Sequence, residues 1–227
     1  MTTDGGPADL AGILELADWR RTVASLYADV RRLGATDPDA ALSQWRTARE
    51  TLYREHPQSP VPAPDRAAFR ARHFDHDPAL RFEVAVEEPA GDGPTAPPGL
   101  GVLGGMSIEL PVSVGGAMSF RRIGTVTVPF AEGSRRLELY WMAGYAGGLF
   151  LPFRDATNGT ETYGAGRYLL DAAKSADLGP GEAPGTLVLD FNFAFQPSCA
   201  FDPKFACPLA PPANRLDVAV RAGERMG

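Results

Sequence analysis

The feature that most constrains the fold is a change in the spacing of apolar residues near Leu80. Upstream, apolar residues recur every three or four positions, whereas from Leu80 to Glu87 they alternate with polar residues, as in a half-buried strand. The apolar runs that follow are separated by short glycine-containing turns, and they are SIELPVSV, IGTVTVPF, RLELYWMA and GLFLPF. Parallel strands need a crossover of about a dozen residues, and no such helical segment lies between these runs. We therefore predict a mainly β fold, an antiparallel meander that closes into a barrel or folds as a sandwich.

The N-terminal part is predicted to be a helical hairpin, which makes the fold α+β overall. One amphipathic pattern runs from Leu10 to Leu33, and a second begins at the helix-start signal Asp37 and stops before Pro57. The proline-rich connector HPQSPVPAP follows, and prolines bias the chain toward extended conformations. We expect residues 1–70 to form the hairpin and connector, and residues 71–227 to form the antiparallel β domain.

Charge and composition argue against several classes of partner. The chain has 227 residues, a formal net charge of −6 and no long run of Lys or Arg, so it lacks the basic surface that binds nucleic acid. The sequence begins without a basic or apolar leader, and no apolar run approaches the ~20 residues that span a bilayer. No phosphate-binding loop, dinucleotide fingerprint or Gly-x-Ser-x-Gly motif occurs, so no cofactor is predicted. We expect a soluble, cytoplasmic protein without nucleic-acid or membrane partners, and the sequence leaves its oligomeric state open.

Polar residues interrupt the last predicted strands. In the segment 161–168, ETYGAGRY, alternation places Glu161, Tyr163 and Arg167 on one face of a strand. Two glycines lie in its interior, and glycines in a strand often mark a bulge or a close approach of another backbone or ligand. The sequence thus predicts a strand with one polar face.

The segment 187–195, LVLDFNFAF, alternates more sharply. Phe191 and Phe193 fall on an apolar face, while Asp190 and Asn192 fall on the other. So continuous an apolar face must lie in a core, and the polar pair must face water or a second, polar interior. The residues expected to be mostly buried are Trp19, Trp45, Phe82, Leu139, Phe191 and Phe193.

Arg167 is predicted to form an ion pair that borders a cavity. A guanidinium can bind a carboxylate with two hydrogen bonds, and Asp190 and Glu161 are the carboxylates that the two predicted strands would bring near it. Such a cluster is either a ligand site or a structural ion-pair network. Perturbed pKa values would not distinguish the two, because both arrangements produce them. The two interpretations have about equal weight at this stage.

The remaining polar candidates favour structural interpretations. Asp155 precedes Thr-Asn-Gly and is typical of a turn in which the side chain binds its own backbone. Cys199 and Cys207 are predicted to lie close together, as buried thiols, as a disulfide or, with two further ligands, at a metal. Buried thiols are the favoured interpretation. His73 and His76 are expected in a solvated loop, so no metal site is predicted.

Several motifs together resemble a known family. The runs PFRDATNGTETYGAGRYL, LDFNFAFQPSCAF, CPLAPPANRL and AGE occur in this order and resemble the bacterial domain of unknown function 1684, with a weaker likeness that reaches back to Trp45 and Arg46. The resemblance implies no established activity. This chain departs from the pattern at Phe195, Gln196 and Ala210. The matching polar positions are Asp155, Thr157, Glu161, Thr162, Tyr163, Arg167, Asp190, Asn192, Cys199, Cys207, Asn214 and Glu224.

The leading functional hypothesis is a small-molecule site, binding or hydrolytic, on the segments 161–168 and 187–195. Arg167 would hold a small anionic ligand that Tyr163 and Asn192 orient, and either of two carboxylates would act as general base. These candidate bases are Asp190 and Glu161. Two further ligand-binding candidates are Asp155 and Asn214. The alternative is a non-catalytic structural or interaction module in which the same residues form a buried network, and the sequence leaves open whether the protein is an enzyme.

Overall fold

The computed structural model describes residues 9–88, 106–144 and 147–227. These ranges contain two α-helices, seven β-strands and several short 3₁₀ turns. The helices are α1 (Leu10–Gly34) and α2 (Pro38–Glu55). The strands are β1 (Arg81–Glu87), β2 (Met106–Pro111), β3 (Ala117–Phe130), β4 (Gly133–Met142), β5 (Leu149–Phe153), β6 (Arg167–Asp171) and β7 (Thr186–Asp190).

The predicted helical hairpin is confirmed. The Asp37 side chain accepts a hydrogen bond from the Ala40 amide at 2.9 Å, which satisfies one of the free N–H groups at the start of α2. The hairpin is closed by a buried contact in which the Trp45 indole donates to the Tyr27 hydroxyl at 3.1 Å. Neither helix has the length and apolar character needed to cross a membrane.

The strands form one antiparallel sheet, as predicted. Its order is β6-β5-β4-β3-β1-β7, and β2 pairs with the N-terminal part of β3. Every named strand pair is antiparallel. The sheet curls into an open half-barrel. An isolated backbone bridge joins Tyr168 of the first edge strand to Phe195, which follows β7, and their backbone groups exchange hydrogen bonds of 2.9 and 3.0 Å.

The predicted strand over 161–168 is wrong. Residues 161–166 form turns, and the strand begins only at Arg167. The amides of Glu161 and Thr162 both donate to the Thr157 carbonyl, which curls the chain back on itself. Gly166 has a φ of +106°, and a Cβ there would lie 2.5 Å from a backbone oxygen of β5. Its glycine therefore marks a close backbone approach at the strand start.

The predicted strand over 187–195 is half right. Strand β7 ends at Asp190, and Phe191–Phe193 form a 3₁₀ turn. The Asp190 side chain causes this end, because it accepts a hydrogen bond from the Asn192 amide at 3.0 Å and caps the turn. A period of two cannot distinguish a strand from a short turn whose side chains are all buried.

Two apolar clusters form the core. One lies between the helices and the sheet and includes Trp45, while the other lies inside the curl and includes Leu139 and Phe191. Of the residues predicted to be buried, Trp45, Leu139, Phe191 and Phe193 are buried, whereas Trp19 and Phe82 are partly exposed. The polar residues Asp190 and Asn192 are buried as well, so burial does not distinguish two faces in β7 and its turn.

The segment after residue 212 has almost no regular structure, yet it is held along its length. The Leu216 amide donates to the Arg154 carbonyl at 2.7 Å, and the Glu224 amide donates to the Ala194 carbonyl at 2.8 Å. Its side chains Val218, Val220 and Ala222 complete the inner cluster. We call residues 212–224 the C-terminal segment.

Gly223 should be intolerant of a side chain. Its φ is +76°, and an added Cβ would lie 2.3 Å from the Ala194 carbonyl oxygen, whereas Gly185 has a φ of +78° with open space around it. A side chain would strain the left-handed backbone at both glycines, but only at Gly223 would its Cβ also clash with neighbouring atoms. We expect Gly185→Ala to cost about 1 kcal/mol and Gly223→Ala to cost about 2 kcal/mol more, because backbone must shift. Urea unfolding of both variants measures this, and equal losses would contradict it.

Candidate functional site

Arg167 lies at the centre of the predicted polar cluster, and its side chain has no exposed surface. One terminal nitrogen donates to Asp155 Oδ2 at 2.6 Å and to the Val220 carbonyl at 2.7 Å. The other donates to the carbonyls of Ala222 and Glu224. Only its Nε lacks a partner within the described residues. The guanidinium thus binds the C-terminal segment and Asp155 through both terminal nitrogens.

The expected pairing of Arg167 with Asp190 or Glu161 is wrong. Its carboxylate partner is Asp155, since the turn over residues 155–166 folds back beside the start of β6. Glu161 instead forms an exposed ion pair with Arg221 at 2.9 Å, and this hydrogen-bonded partner lowers the pKa of the Glu161 carboxyl. Glu161 therefore lies away from the enclosed cluster.

Asp155 forms the predicted side-chain turn. Its Oδ1 accepts from the Thr157 amide at 2.7 Å and from the Thr157 hydroxyl, and the Asn158 side chain caps the Asp155 amide at 2.6 Å. With Oδ2 bound to Arg167, both carboxylate oxygens have partners. A charged pair remains stable inside a protein when its charges and hydrogen-bonding groups have partners there.

The two asparagines are likewise satisfied by the protein. Asn214 accepts from the Glu138 amide at 2.8 Å and donates to the Glu138 carbonyl at 2.9 Å, so it mimics a neighbouring strand beside β4. Asn192 accepts from the Asp77 amide at 3.0 Å and donates to the Asp77 carbonyl and to Asp190 Oδ1, both at 2.8 Å. Both side-chain amides hold neighbouring segments of the chain in place, because their donors and acceptors have partners within the protein.

A second buried ion pair was missed by the sequence analysis. Arg49 Nε donates to Glu224 Oε1 at 2.8 Å, and the other oxygen accepts from the Gln196 amide at 2.8 Å. Arg49 also donates to the Tyr53 hydroxyl at 2.5 Å. The available signal was the spacing, because Arg49 lies four residues from both Trp45 and Tyr53 and so falls on the apolar stripe of α2.

A cavity of about 380 Å³ lies between the α1–α2 turn and strands β1 and β7. We call it the Asp190 cavity. Its charged lining residues are Arg31, Arg81, Glu83, Glu182 and Asp190, and its apolar lining includes Val30, Leu178, Val188 and Phe193. It is therefore amphipathic, as most small-molecule sites are.

Asp190 is the buried carboxyl group of this cavity. Oδ1 accepts two hydrogen bonds from Asn192, whereas Oδ2 has no hydrogen-bond partner within the described ranges. Burial raises the pKa of Asp190, and Arg81 opposes this shift without forming a close ion pair. A carboxyl group with one unused oxygen and a raised pKa is suited to accept a proton or a hydrogen bond.

A second cavity of about 300 Å³ contains Tyr163, Gln196 and Glu224 together with three exposed arginines. Burial is the main cause that raises the pKa of Tyr163 to about 12, so its hydroxyl stays protonated. The arginines are Arg70, Arg72 and Arg225. Tyr163 is thus separated from Asp190, and the two predicted functional strands do not form one site.

Cys199 and Cys207 are close together, as predicted, and both are buried free thiols. The Cys199 amide donates to Cys207 Sγ at 3.3 Å. Within the described part of the chain, no three His, Cys, Asp or Glu side chains are arranged to hold a metal ion.

Comparison with known proteins agrees with the motifs. Residues 69–225 match the family described as protein of unknown function (DUF1684). The chain belongs to this family. The match contains the whole sheet, both buried carboxylates that bind arginines and both cysteines, but it begins after Trp45 and Arg46. No curated protein matches the chain.

A solved structure supports the assignment. The chain is similar to the solution NMR structure of an uncharacterized protein of Haloarcula marismortui, with 32% sequence identity and a TM-score of 0.58. The alignment covers 85% of this chain and 96% of the other.

The buried and exposed ion pairs should differ sharply in mutational cost. We expect Asp155→Asn to lower the free energy of unfolding by about 3–5 kcal/mol, because it leaves the enclosed Arg167 charge without its anion. Glu161→Gln removes the same charge from an exposed pair and should leave the free energy of unfolding nearly unchanged. Chemical denaturation measures both. A small loss for Asp155→Asn would show that backbone carbonyls alone stabilise Arg167.

His73 should make stability depend on pH. It packs against Trp45 with its Nε2 unpaired within the described residues, and burial lowers its pKa from 6.5 to about 4. The unfolded chain binds the proton first as the pH falls, so stability is lost between about pH 6.5 and pH 4, by at most about 3 kcal/mol. His73→Phe should flatten this dependence, and His76→Gln is the control. An unchanged slope in His73→Phe would contradict this assignment.

Proposed function

We propose that the protein binds a small molecule in the Asp190 cavity. The observation that carries the proposal is Oδ2 of Asp190, an oxygen of a largely buried residue that lines a cavity of about 380 Å³ and accepts no hydrogen bond from the described residues. Polar groups of buried residues are normally paired within the protein. This oxygen is therefore available to accept a hydrogen bond from a molecule in the cavity.

The lining charges indicate the chemistry of the ligand. Arg81 and Arg31 would bind an anionic group of the ligand. The ligand is thus anionic, as the sequence predicted, but its proposed site is not at Arg167. Asp190 would accept a hydrogen bond from a hydroxyl or amino group of the same molecule. The small hydroxy acids and amino acids have both features. A cytoplasmic location, as predicted from the sequence, would supply such metabolites.

Binding is favoured over covalent hydrolysis. None of the described residues that line the Asp190 cavity carries a hydroxyl, thiol or imidazole, so carboxylates are the side-chain nucleophiles that its described lining offers. Hydrolysis would require Asp190 to accept a proton from a bound water, with the raised pKa of this carboxyl favouring the transfer. The second candidate base, Glu161, is outside this cavity.

The alternative, a structural or interaction module, is supported by a different set of residues. Arg167, Asp155, Asn192 and Asn214 use their side-chain hydrogen-bonding groups within the protein, apart from Arg167 Nε. We propose that these four residues stabilise the fold in either case. The two functions therefore differ in the role of Asp190 and not in the role of the network.

Asp190→Asn tests the proposal. Asparagine keeps the acceptor for Asn192 and removes the charge, so we expect the variant to fold and to lose ligand-induced stabilisation. The measurement is the melting temperature with and without each member of a panel of small hydroxy acids and amino acids. A ligand that raises the melting temperature of the parent should have at least about tenfold weaker affinity for the variant, as for the loss of one charged hydrogen bond.

Two controls sharpen this test. Ala35→Phe places a ring at the exposed rim of the Asp190 cavity and should also weaken binding without changing the charge. Asp217→Asn removes an exposed carboxylate that pairs with Arg135 and should bind like the parent. If Asp190→Asn binds every stabilising ligand as the parent does, or if no panel member stabilises the parent, the proposal fails and the structural alternative is favoured.

A further inference from the structure

The two cysteines are held together by separate parts of the backbone. Cys199 lies in a 3₁₀ turn, Ser198–Ala200. Cys207 is fixed to the chain after β2, because its amide donates to the Ser113 hydroxyl at 3.1 Å and its carbonyl accepts from the Ser113 amide at 3.0 Å. The 3.3 Å contact from the Cys199 amide to Cys207 Sγ therefore joins two independently anchored positions.

The surroundings of the thiol pair favour a thiolate on one sulfur. Interaction with the Cys207 side chain lowers the pKa of Cys199 to about 6, and Ser113, Tyr163 and Lys174 act in the same direction. The same interaction raises the pKa of Cys207. Burial also raises the pKa of Tyr168, the other ionisable side chain near the pair, so this tyrosine stays neutral.

Lys174 contributes a positive charge that lowers the pKa of both thiols. Its ammonium lies 5.3 Å from the ring centroids of Tyr168 and Phe195 and 3.4 Å from Asp171. The aromatic rings and the carboxylate hold it in place, and its charge favours an anion on the cysteines. A low-pKa cysteine with a second thiol and a positive charge near it has the electrostatics of a redox-active cysteine, although such cysteines are usually more exposed than this pair.

We propose that Cys199 and Cys207 form a redox-active site that reduces hydroperoxides and closes reversibly to a disulfide. Cys199 is the attacking group and Cys207 is the resolving group. The Asp190 cavity takes no part, so the two proposals stand independently. Nothing in the family description or in the similar structure assigns this activity.

The reaction balances in two steps. The Cys199 thiolate attacks the peroxide, so an S–O bond forms, the O–O bond breaks, and the leaving hydroxide or alkoxide takes a proton from water. Cys199 is then a sulfenic acid. Cys207 gives up its proton and attacks Cys199 sulfur, so the S–S bond forms and the S–O bond breaks with release of water. The two thiols lose two electrons in total, and the hydroperoxide gains them.

The burial of both sulfurs selects a small oxidant. Each cysteine is only 6% exposed, so a bulky disulfide such as that of a thiol peptide cannot align with Cys199 without unfolding the loop. Hydrogen peroxide is much smaller than such a disulfide. A small dithiol reductant would be needed to reopen the disulfide between Cys199 and Cys207.

The experiment uses the reduced full chain treated with hydrogen peroxide under native conditions. Lys204 lies between the two cysteines, so trypsin places them in different peptides that only a disulfide holds together. We expect the joined peptides to appear in a non-reducing digest and to separate after dithiothreitol. Cys207→Ser should stop at a sulfenic acid on Cys199 that dimedone traps, whereas Cys199→Ser should leave Cys207 unmodified.

The dependence on pH separates a tuned thiolate from an ordinary thiol. With a pKa of about 6, the rate of Cys199 oxidation in the parent, where Cys207 lowers this pKa, should rise about tenfold from pH 5 to pH 7 and then level off. A rate that rises only above pH 8, equal reactivity of both cysteines, or oxidation only after unfolding in urea would each overturn the proposal. Asp217→Asn, which removes an exposed carboxylate that pairs with Arg135, should oxidise like the parent.

Discussion

A positive charge with no exposed surface determines how the last part of this chain must lie. Taking a guanidinium out of water costs several kcal/mol unless its donors are satisfied. Arg167 meets this cost with one carboxylate, Asp155, and with carbonyls of the C-terminal segment. These carbonyls belong to Val220, Ala222 and Glu224, every second residue, so they point to one side of an extended chain. An irregular segment is thereby fixed as firmly as a strand, although it lies outside the sheet.

The second buried arginine extends this constraint to the helices. Glu224 accepts from Arg49 through its carboxylate and from Arg167 through its backbone carbonyl. The helical hairpin and the end of the chain thus depend on the same residue. Removing either arginine partner would leave a charge buried among aromatic rings such as Phe195 and Phe153, where ring faces supply only a small part of the lost hydration. We expect hairpin and sheet to unfold together for this reason.

The sequence predicted those parts of the fold in which local pattern and burial agree. Strands such as β1 alternate cleanly, and short turns between them leave antiparallel pairing as the choice. The strand over 161–168 was wrongly predicted because its alternation was accidental, and only Gly166 signalled the turn. The partner of Arg167 could not be read from sequence, since a carboxylate twelve residues upstream reaches it through a turn whose hydrogen bonds depend on Asp155 itself. Ion-pair choice is a tertiary property, so no periodicity contains it.

The same reasoning separates polar residues that stabilise the fold from those that remain available for chemistry. Most of the motif residues are satisfied by their neighbours, and a satisfied buried group gains nothing from a ligand. Asp190 and Cys199 differ from them, because one has an unused carboxyl oxygen and the other has a proton that its surroundings make easy to remove. Each has a neighbouring charge that suits its proposed role. Arg81, near Asp190, would attract an anionic ligand, and the charge of Lys174 would stabilise a thiolate on Cys199. If Asp190 and Cys199 had only a structural role, neither the unused carboxyl oxygen nor the lowered thiol pKa would require a charged neighbour.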